Sequence, residues 1–521
     1  MNYLRGKHDK TMAHLNGKDR SQLNIFPISM DEMVDENNPV RIIDLFVNRF
    51  DFSKLGFDHA IPTGEGRPPF APSDLMKLYL YGYMNRIRSS RKLEKECERN
   101  IELIWLMKGL KPRYKTIADF RSKHPVQFKN FFKEFVALLK GWDLIEGNLI
   151  AIDGSKFRAV NAKKNNFNED KINRQLEYID NRINEFINTL EENDKSENGN
   201  RKIDVEKIKK QLLTQQQRKL KYQSMRETLK ETGEEQISTT DKDSRSMPIN
   251  HNRIEVSYNA QTATDAKHCL IVHFENTNVN DKKALANVAI EAKIILHKET
   301  IEVLADKGYH NAEQLDACMR NNITTYVAPK EPAHFTPVPT PEYFGDKFKY
   351  DKERDAYICP QKQILKTNGS WYNKKYKNYT TKLQQYKTTA CKTCSAKEVC
   401  TNNPKGRIIE RTQYAKAVEE NANRVSAQKE KYLLRQQIVE HPFGTIKRPW
   451  GFDYLLLKGK QKCEAEFGII FSVYNLRRAM SILGFPELKK RLKTALFYII
   501  WLWQLIVRSI NQNVYRQYHP W

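Results

Sequence analysis

The sequence predicts an α/β protein, in which a mixed β-sheet carries helices on both faces and is joined to an N-terminal all-helical domain. Two patterns support this prediction. Short apolar runs rich in β-branched residues occur in residues 147–160 and 250–329, where they alternate with helical segments. The N-terminal region instead shows apolar residues at intervals of three and four, as amphipathic helices do. At 521 residues, the chain is long enough for about three domains.

The chain is strongly basic. Its 88 Lys and Arg residues against 63 Asp and Glu residues give a formal net charge of +25. An excess of this size favours a polyanionic partner, with nucleic acid ahead of an anionic membrane surface. With 40% apolar and 29% charged residues, the composition excludes collagen-like, wholly disordered and polytopic membrane proteins.

The two ends of the chain and its cysteine content bear on where the protein is found. Residues 1–20 lack the apolar run of a signal peptide. The apolar stretch 496–507, in a C-terminal helix or tail predicted over residues 486–521, is shorter than the roughly 20 residues of a membrane span. Eight cysteines in 521 residues do not make a disulfide scaffold. We therefore expect a cytoplasmic protein with no membrane partner.

Residues 1–140 are expected to form an all-helical DNA-binding domain. Between Pro72 and Glu98, apolar residues recur at helical spacing, and basic residues collect at the opposite side and the end of that face. The arginines that we assign to DNA contact are Arg86, Arg88 and Arg91. A solvated cationic face would give the same pattern, so the charge alone leaves both interpretations open.

The predicted sheet lies in residues 147–160 and 250–329, and residues 426–485 complete that domain. Asn148–Phe157 is predicted to be a strand, a hairpin follows, and two more strands alternate with helices up to residue 329. Residues 161–249 are charged and helical in period, which predicts an inserted helical arm. Without this arm the order is β-β-β-α-β-α-β, which is the element order of a ribonuclease-H-like fold.

Acidic residues stand at the ends of two strands of this sheet. Asp153 lies on the first strand and Asp306 follows the fourth, and these two strands are neighbours in a ribonuclease-H-like sheet. Two carboxylates so close repel each other unless a divalent cation neutralises them, and hard oxygen ligands select Mg²⁺ or Mn²⁺. Taken singly, Asp153 could instead cap a turn before Gly154, and Asp306 could pair with Lys307.

A third carboxylate is expected from Glu440, on a predicted helix beyond the second insertion. Lys447 lies seven residues further on, so the two side chains share one face if the helix continues. Pro442 stands between them, and a proline inside a helix kinks or ends it. A surface charge with no catalytic role is the alternative for Glu440.

Four segments, in this order, resemble bacterial insertion-sequence transposases of the DDE type. They are YLYGYMNRIRSSRKLEKECERNIELIWLMKGLKPRYKTIADFR, AIDGSK, ADKGYH and VEHPFGTIKRPWGF. The resemblance implies a ribonuclease-H-like catalytic domain with Asp153, Asp306 and Glu440 as its triad. It also implies that the triad holds two Mg²⁺ or Mn²⁺ ions and catalyses cleavage at element ends and strand transfer of DNA.

Many of these enzymes carry a Y-x2-R-x3-E-x6-K signature around the glutamate. Tyr432 and Arg435 keep the first interval and Glu440 and Lys447 keep the last, but four residues separate Arg435 from Glu440. The resemblance implies DNA contacts for Tyr432, Arg435 and Lys447. His310, in the ADKGYH segment, either orients a phosphate or caps the following helix.

The partners implied by the resemblance are double-stranded DNA, as terminal repeats and as target, and a second copy of the chain in a synaptic dimer. The setting would be the bacterial cytoplasm, in association with the nucleoid. Two alternatives remain at this point. The chain could be a catalytically silent, transposase-derived DNA-binding protein, or a stand-alone nuclease on the same fold.

A second insertion, residues 330–425, carries half of the cysteines of the chain. They are Cys359, Cys391, Cys394 and Cys400, with 31, 2 and 5 intervening residues. Four thiolates can form a tetrahedral zinc site, while small unliganded side chains in a reducing cytoplasm are the alternative. Lysines interleaved with aromatic residues such as Trp371 in the same insertion favour contact with DNA.

Overall fold

The computed structural model describes residues 29–61, 68–195, 204–250, 253–279, 281–329, 338–376 and 379–518. Side chains are described within these ranges except at residues 194, 195, 250, 376, 379 and 495–518. Residues 1–20 and the side chains of the apolar stretch 496–507 therefore lie outside the described part. Within that part, no helix combines the length and the apolar character that crossing a membrane requires.

Helices make up the N-terminal region. Proline occupies the first turn of three of them, where the missing N–H would have no helical partner in any case. Asn38 caps the first helix by accepting a hydrogen bond from the backbone N–H of Val40 at 2.9 Å. The helices are α1 (Pro39–Val47), α2 (Pro72–Met84), α3 (Ser90–Arg99), α4 (Ile101–Leu106), α5 (Tyr114–Lys123) and α6 (Pro125–Gly141).

A mixed sheet forms the centre of the molecule. Strand β1 (Leu149–Arg158) precedes the helical arm, which contains β2 (Asn166–Asn168), α7 (Glu169–Lys195), α8 (Val205–Thr232) and β3 (Gln236–Ser238). The chain then continues through β4 (Arg245–Asn250), β5 (Arg253–Asp265), β6 (Ile271–Thr277), α9 (Leu285–Ile295), β7 (Ile301–Ala305), α10 (Ala312–Arg320) and β8 (Ile323–Val327).

The strand order confirms the ribonuclease-H-like prediction. Strands run β6-β5-β1-β7-β8 across the sheet, with β4 pairing the beginning of β5 on the same side as β6. β5 is antiparallel to β1 and β6, whereas β1, β7 and β8 are parallel to one another. The N-terminal helices share one hydrophobic core with this sheet, and Phe132 of α6 packs edge-on against Phe274 of β6 at 5.0 Å between ring centroids.

The second insertion contains an antiparallel sheet of its own, which the sequence did not predict. Its elements are β9 (Lys349–Asp351), β10 (Ala356–Ile358), β11 (Ile364–Thr367), β12 (Tyr372–Tyr376), β13 (Tyr379–Lys387), α11 (Lys397–Cys400) and β14 (Ile409–Thr412). A small aromatic and aliphatic core holds this sheet together, with Tyr357, Leu365 and Tyr386 at its centre.

Three helices complete the fold: α12 (Ala415–Ala427), α13 (Lys429–Lys447) and α14 (Lys460–Tyr518). α13 continues through Pro442, so the predicted obstacle does not end the helix. α14 is broken at Gly484, whose φ of 69° and ψ of 166° are not helical. Buried Ile438 and Val439 of α13 pack against Ala151 of β1 and Leu304 of β7, which fixes this helix on the two strands that carry the aspartates.

Candidate active site

Asp153 and Asp306 lie side by side on neighbouring parallel strands. The register of β1 and β7 pairs Ile152 with Ala305; Asp153 is the next residue within β1, and Asp306 is the first residue after β7. Asp306 caps a short 3-10 turn, where its Oδ1 accepts a hydrogen bond from the N–H of Gly308 at 2.8 Å. The fold therefore places the two predicted carboxylates together, as the strand order requires.

Burial raises the pKa of Asp153 to about 6. The N–H of Gly154 and the guanidinium of Arg435 oppose this rise, whereas the negative charges of Asp306 and Asp281 add to it. The carboxyl group thus holds its proton to an unusually high pH, because burial and the two neighbouring carboxylates outweigh the charge of Arg435. A divalent cation at this position would favour the ionised carboxylate, so these donors fit a hard metal ion.

Glu440 is exposed on α13, close in sequence to the residues that pack against the strands. Its Oε1 accepts a hydrogen bond from Nε2 of Gln436 at 2.8 Å. Among the residues that the structure describes, no three His, Cys, Asp or Glu side chains are arranged so that they could hold a metal ion. The structure therefore brings Asp153 and Asp306 together without bringing Glu440 into one metal-binding group with them.

Lys447 reaches the same strand from the other end of α13. Its Nζ donates a hydrogen bond to the carbonyl oxygen of Lys156 at 2.6 Å and lies 4.6 Å from the ring centroid of Phe157. Burial, followed by the positive charge of Lys156, lowers the pKa of Lys447 to about 8, and the charge of Asp153 acts in the opposite direction. A lysine with spare N–H donors thus lies near the aspartates.

Arg435 and Tyr432 occupy the first half of α13. The guanidinium of Arg435 interacts with the charge of Asp153 and lies 5.9 Å from the ring centroid of Tyr432. Its Nε is buried and has no hydrogen-bond partner within the described residues. Tyr432 itself packs against the hydrophobic cluster between α13 and the sheet. Arg435 is therefore available to a ligand that approaches Asp153.

Sequence reasoning missed a polar network next to Asp153. Asp281, at the start of a 3-10 turn after β6, accepts hydrogen bonds from Asn259 and Gln261 of β5 and pairs with Lys156 of β1. The available signal was the pair of amides, Asn259 and Gln261, within the predicted strand, because buried polar groups need partners.

Arg88 requires a correction. It was predicted to contact DNA, but it is only 6% exposed and forms a salt bridge of 2.6 Å with Glu466, which is fully buried. Its Nη2 also donates to the carbonyl oxygen of Tyr454 at 2.5 Å. A buried charge needs a partner, and this pair joins the N-terminal helices to α14. Arg88 is therefore part of the core and cannot reach a DNA backbone.

The other two predicted arginines of this region are exposed. Arg86 follows α2 with a φ of 62°, and Arg91 lies over the ring of Tyr114 at 5.1 Å from its centroid. Both side chains are accessible to a ligand at the surface, so their assignment to DNA contact stays a prediction.

His310 ends the 3-10 turn that Asp306 begins, and it is half-buried. The cap of α10 is the next residue, Asn311, whose Oδ1 accepts hydrogen bonds from the N–H groups of Glu313 and Gln314 at 3.0 and 3.4 Å. The prediction that His310 caps this helix is therefore wrong, and the phosphate-orienting alternative stays a prediction.

The four cysteines of the second insertion lie near one another, one directly after β10 and three in the segment between β13 and β14. Cys359 follows β10, and its Sγ accepts a hydrogen bond from the N–H of Gln363 at 3.2 Å. Burial raises the pKa of the Cys400 thiol, and the other three cysteines raise it further. Cys359 and Cys400 also pack against the hydrophobic core of the insertion. They are close, but none of them belongs to a described group of three arranged for a metal.

Two transposase family models match the chain. One, described as a Transposase DDE domain, matches residues 358–480, which contain the part of the second insertion from residue 358 onward, α13 with Glu440, and the beginning of α14. The other, described as a Transposase domain (DUF772), matches residues 28–123 in the N-terminal helical region. Both matches are to transposase families, and they support a DNA-processing enzyme of the DDE transposase type whose function is DNA transposition.

Among solved structures, the chain is similar to one described as the cryo-EM structure of a piggyBac transposase synaptic complex with hairpin DNA. The identity is 8% and the TM-score is 0.30, over 88% of this chain and 79% of that one. No curated protein matches the sequence.

Proposed function

We propose that the protein cuts DNA at the ends of its element and joins the freed ends to target DNA, with Asp153, Asp306 and Glu440 as the metal-binding triad. The observation that carries this proposal is the placement of Asp153, on β1, next to Asp306, directly after the parallel neighbour β7, where the half-buried Asp153 feels the negative charge of Asp306. Glu440 is the third carboxylate, since it projects from the helix packed on those same strands.

The metal ions are Mg²⁺ or Mn²⁺, because carboxylate oxygens favour hard cations. When bound, a pair of such ions activates a water or 3′-hydroxyl nucleophile and stabilises the departing oxygen of a phosphodiester. Asp153 and Asp306 hold the metal position. Arg435 and Lys447 flank it with positive charge, which binds the phosphate groups of the strand being cut.

Double-stranded DNA is the proposed substrate, as the terminal repeats of the element and as target. The net charge of +25 supports a polyanionic partner. Exposed Arg86 and Arg91 of the N-terminal helices and exposed Trp371 and Tyr372 of the second insertion would contact that DNA. A homodimer would hold two element ends in a synaptic complex, in the cytoplasm and in association with the nucleoid.

The test is cleavage and strand transfer with Mg²⁺ on DNA that carries the inverted repeats flanking the reading frame. The Asp306→Asn variant should lose both activities by at least about a hundredfold, since it removes a metal ligand and keeps the shape. Asp143→Asn is the matched control, because Asp143 is 90% exposed on the loop before β1. Undiminished activity in Asp306→Asn would remove the metal role.

The same assay separates the two alternatives. A catalytically silent DNA-binding protein would bind the repeats and show no metal-dependent cleavage. A stand-alone nuclease would nick the DNA and leave no joined products. The presence of all three carboxylates, with two of them adjacent, supports the transposase over the silent protein.

Cys359, Cys391, Cys394 and Cys400 form the proposed zinc site. Their mutual proximity and the N–H hydrogen bond to the Sγ of Cys359 support thiolate ligation. Zinc measured by mass spectrometry should be about one ion per purified chain, and the double variant Cys391→Ser, Cys394→Ser should lose it. Metal-free protein with unchanged stability would favour the alternative that these cysteines are unliganded packing residues.

A further inference from the structure

A hydrogen-bond network connects the carboxylate of Asp281 to the turn that carries Asp306. Oδ1 of Asp281 accepts from Nδ2 of Asn259 at 2.8 Å and from Nε2 of Gln261 at 2.7 Å. Its Oδ2 lies 3.3 Å from Nζ of Lys156. Both oxygens are thus engaged by donors from β5 and β1, so this carboxylate supports its neighbours rather than binding a metal itself.

The network continues from Gln261 to the Asp306 turn. Oε1 of Gln261 accepts a hydrogen bond from the hydroxyl of Tyr309, and both residues are fully buried. Tyr309 is the last residue of the 3-10 turn that Asp306 caps. Asp281 therefore orients the amide of Gln261, and this amide in turn fixes the turn of Asp306 against β5.

Gly154 lets this network approach Asp153. A Cβ atom at this position would lie 2.3 Å from Nε2 of Gln261 and 2.5 Å from Oδ1 of Asp281. Such distances are far below van der Waals contact, so a side chain would displace both groups. Because residue 154 is glycine, Gln261 and Asp281 can pack against the backbone directly after Asp153.

We propose that Asp281 and Gln261 are positioning residues, which hold the turn of Asp306 at a set separation from Asp153 and so determine the affinity of the metal site. The inference rests on the proposed function of those two aspartates. Mg²⁺ and Mn²⁺ demand a defined arrangement of oxygens, and residues that orient metal ligands typically change affinity by about 10 to 100-fold when they are replaced.

The experiment measures Mn²⁺ binding to the full chain by electron paramagnetic resonance, without DNA. Tyr309→Phe removes only the hydroxyl that links Gln261 to the turn, and Asp281→Asn removes the charge that orients both amides. The matched control is Tyr258→Phe. Tyr258 lies on the same strand as Gln261, is also fully buried, and donates its hydroxyl to Asp241 at 2.7 Å.

Tyr309→Phe and Asp281→Asn should each raise the Kd for Mn²⁺ by about tenfold, while Tyr258→Phe should keep the wild-type Kd. In cleavage assays the metal concentration for half-maximal rate should rise in parallel, and saturating metal should restore most of the rate. A purely structural role would lower stability without this change in metal dependence. Circular dichroism melting curves show whether each variant is folded. If Asp281→Asn fails to fold, Tyr309→Phe, which changes no charge, still tests the proposal.

Wild-type Kd values in both variants would overturn the positioning role and leave the proposed function intact, provided that Asp153→Asn abolishes binding. If the wild-type protein itself binds no Mn²⁺, the proposed metal site and the inference both fail.

Discussion

Replacing Asp153 with Asn should make the metal-free protein more stable at neutral pH. Burial, together with the charges of Asp306 and Asp281, raises the pKa of Asp153 from 3.8 to about 6. The folded protein therefore disfavours the ionised carboxylate relative to the unfolded chain. Asn has the same shape, still accepts from the N–H of Gly154 and carries no charge, so the variant escapes this unfavourable contribution.

The magnitude follows from proton linkage. Moving the pKa of one carboxyl from 3.8 to about 6 corresponds to about 3 kcal/mol at pH values above both. Between these pH values the folded state binds more protons than the unfolded state, so the stability of the wild-type protein falls as the pH rises. The advantage of Asp153→Asn should thus be near zero below pH 4 and should reach about 3 kcal/mol by pH 7.

Urea unfolding in EDTA, followed by circular dichroism from pH 4 to pH 7.5, measures this difference. The Asp143→Asn control should follow the wild-type curve, because that aspartate is 90% exposed. Adding Mg²⁺ at pH 7 should stabilise the wild-type protein and leave Asp153→Asn unchanged, since the cation needs the carboxylate. If the free energies of unfolding of wild type and Asp153→Asn change with pH in parallel, the raised pKa of Asp153 does not affect stability and the prediction is refuted.

Three further predictions concern other residues. Glu466→Gln should lower the free energy of unfolding by about 3 to 5 kcal/mol, because it leaves Arg88 and Arg121 buried without their counter-charge. Urea unfolding at pH 7 measures this free energy, and a loss under about 1 kcal/mol would contradict the prediction. Lys447→Met should bind DNA more weakly than wild type at pH 7 and equally at pH 9.5, because the pKa of Lys447 is lowered to about 8. Fluorescence anisotropy measures the affinity for DNA, and an equal loss of affinity at both pH values would show that the charge of Lys447 does not contribute. Gly154→Ala should lose most metal-dependent cleavage while remaining folded by circular dichroism, because its Cβ would displace Gln261, and full activity would contradict the close approach.

The two parallel strands next to the proposed site could be predicted because their signals are local. Asp153 follows the apolar residues Leu149–Ile152, and Asp306 follows Ile301–Ala305, although β1 itself continues to Arg158. The ribonuclease-H-like order then makes these strands neighbours. No information about distant contacts is needed for this step, which is why the sequence placed the two aspartates together.

The role of Arg88 could not be predicted in the same way. Arg88 and Arg91 are three residues apart and look equivalent in the sequence, yet one is buried and the other exposed. The difference arises from Glu466, which is 378 residues further along the chain. A contact of that range depends on how α14 packs on the N-terminal helices, and helical periodicity gives no sign of it.

Asp281 and the sheet of the second insertion were missed for two different reasons. Asp281 lies in the short connection after β6, and its importance comes from Asn259 and Gln261, which donate to it once the sheet has formed. The strands of the insertion are mostly three to five residues long and lie among Pro, Tyr and Lys residues, so they lack a clear alternation. Short strands are defined by their pairing partners more than by their own composition.

The position of the arm has a consequence for how the protein folds and how its gene can vary. The arm separates β1 from β5, although Ala151 and Thr264 are paired. At its base, β2 and β3 pair Phe167 with Ile237, so the arm leaves the sheet and returns at one place. If α7, α8 and the β2–β3 pair form first, the unstructured chain that must close to pair β1 with β5 is much shorter. Matched insertions or deletions in α7 and α8 should therefore change the reach of the arm without altering the geometry of the sheet.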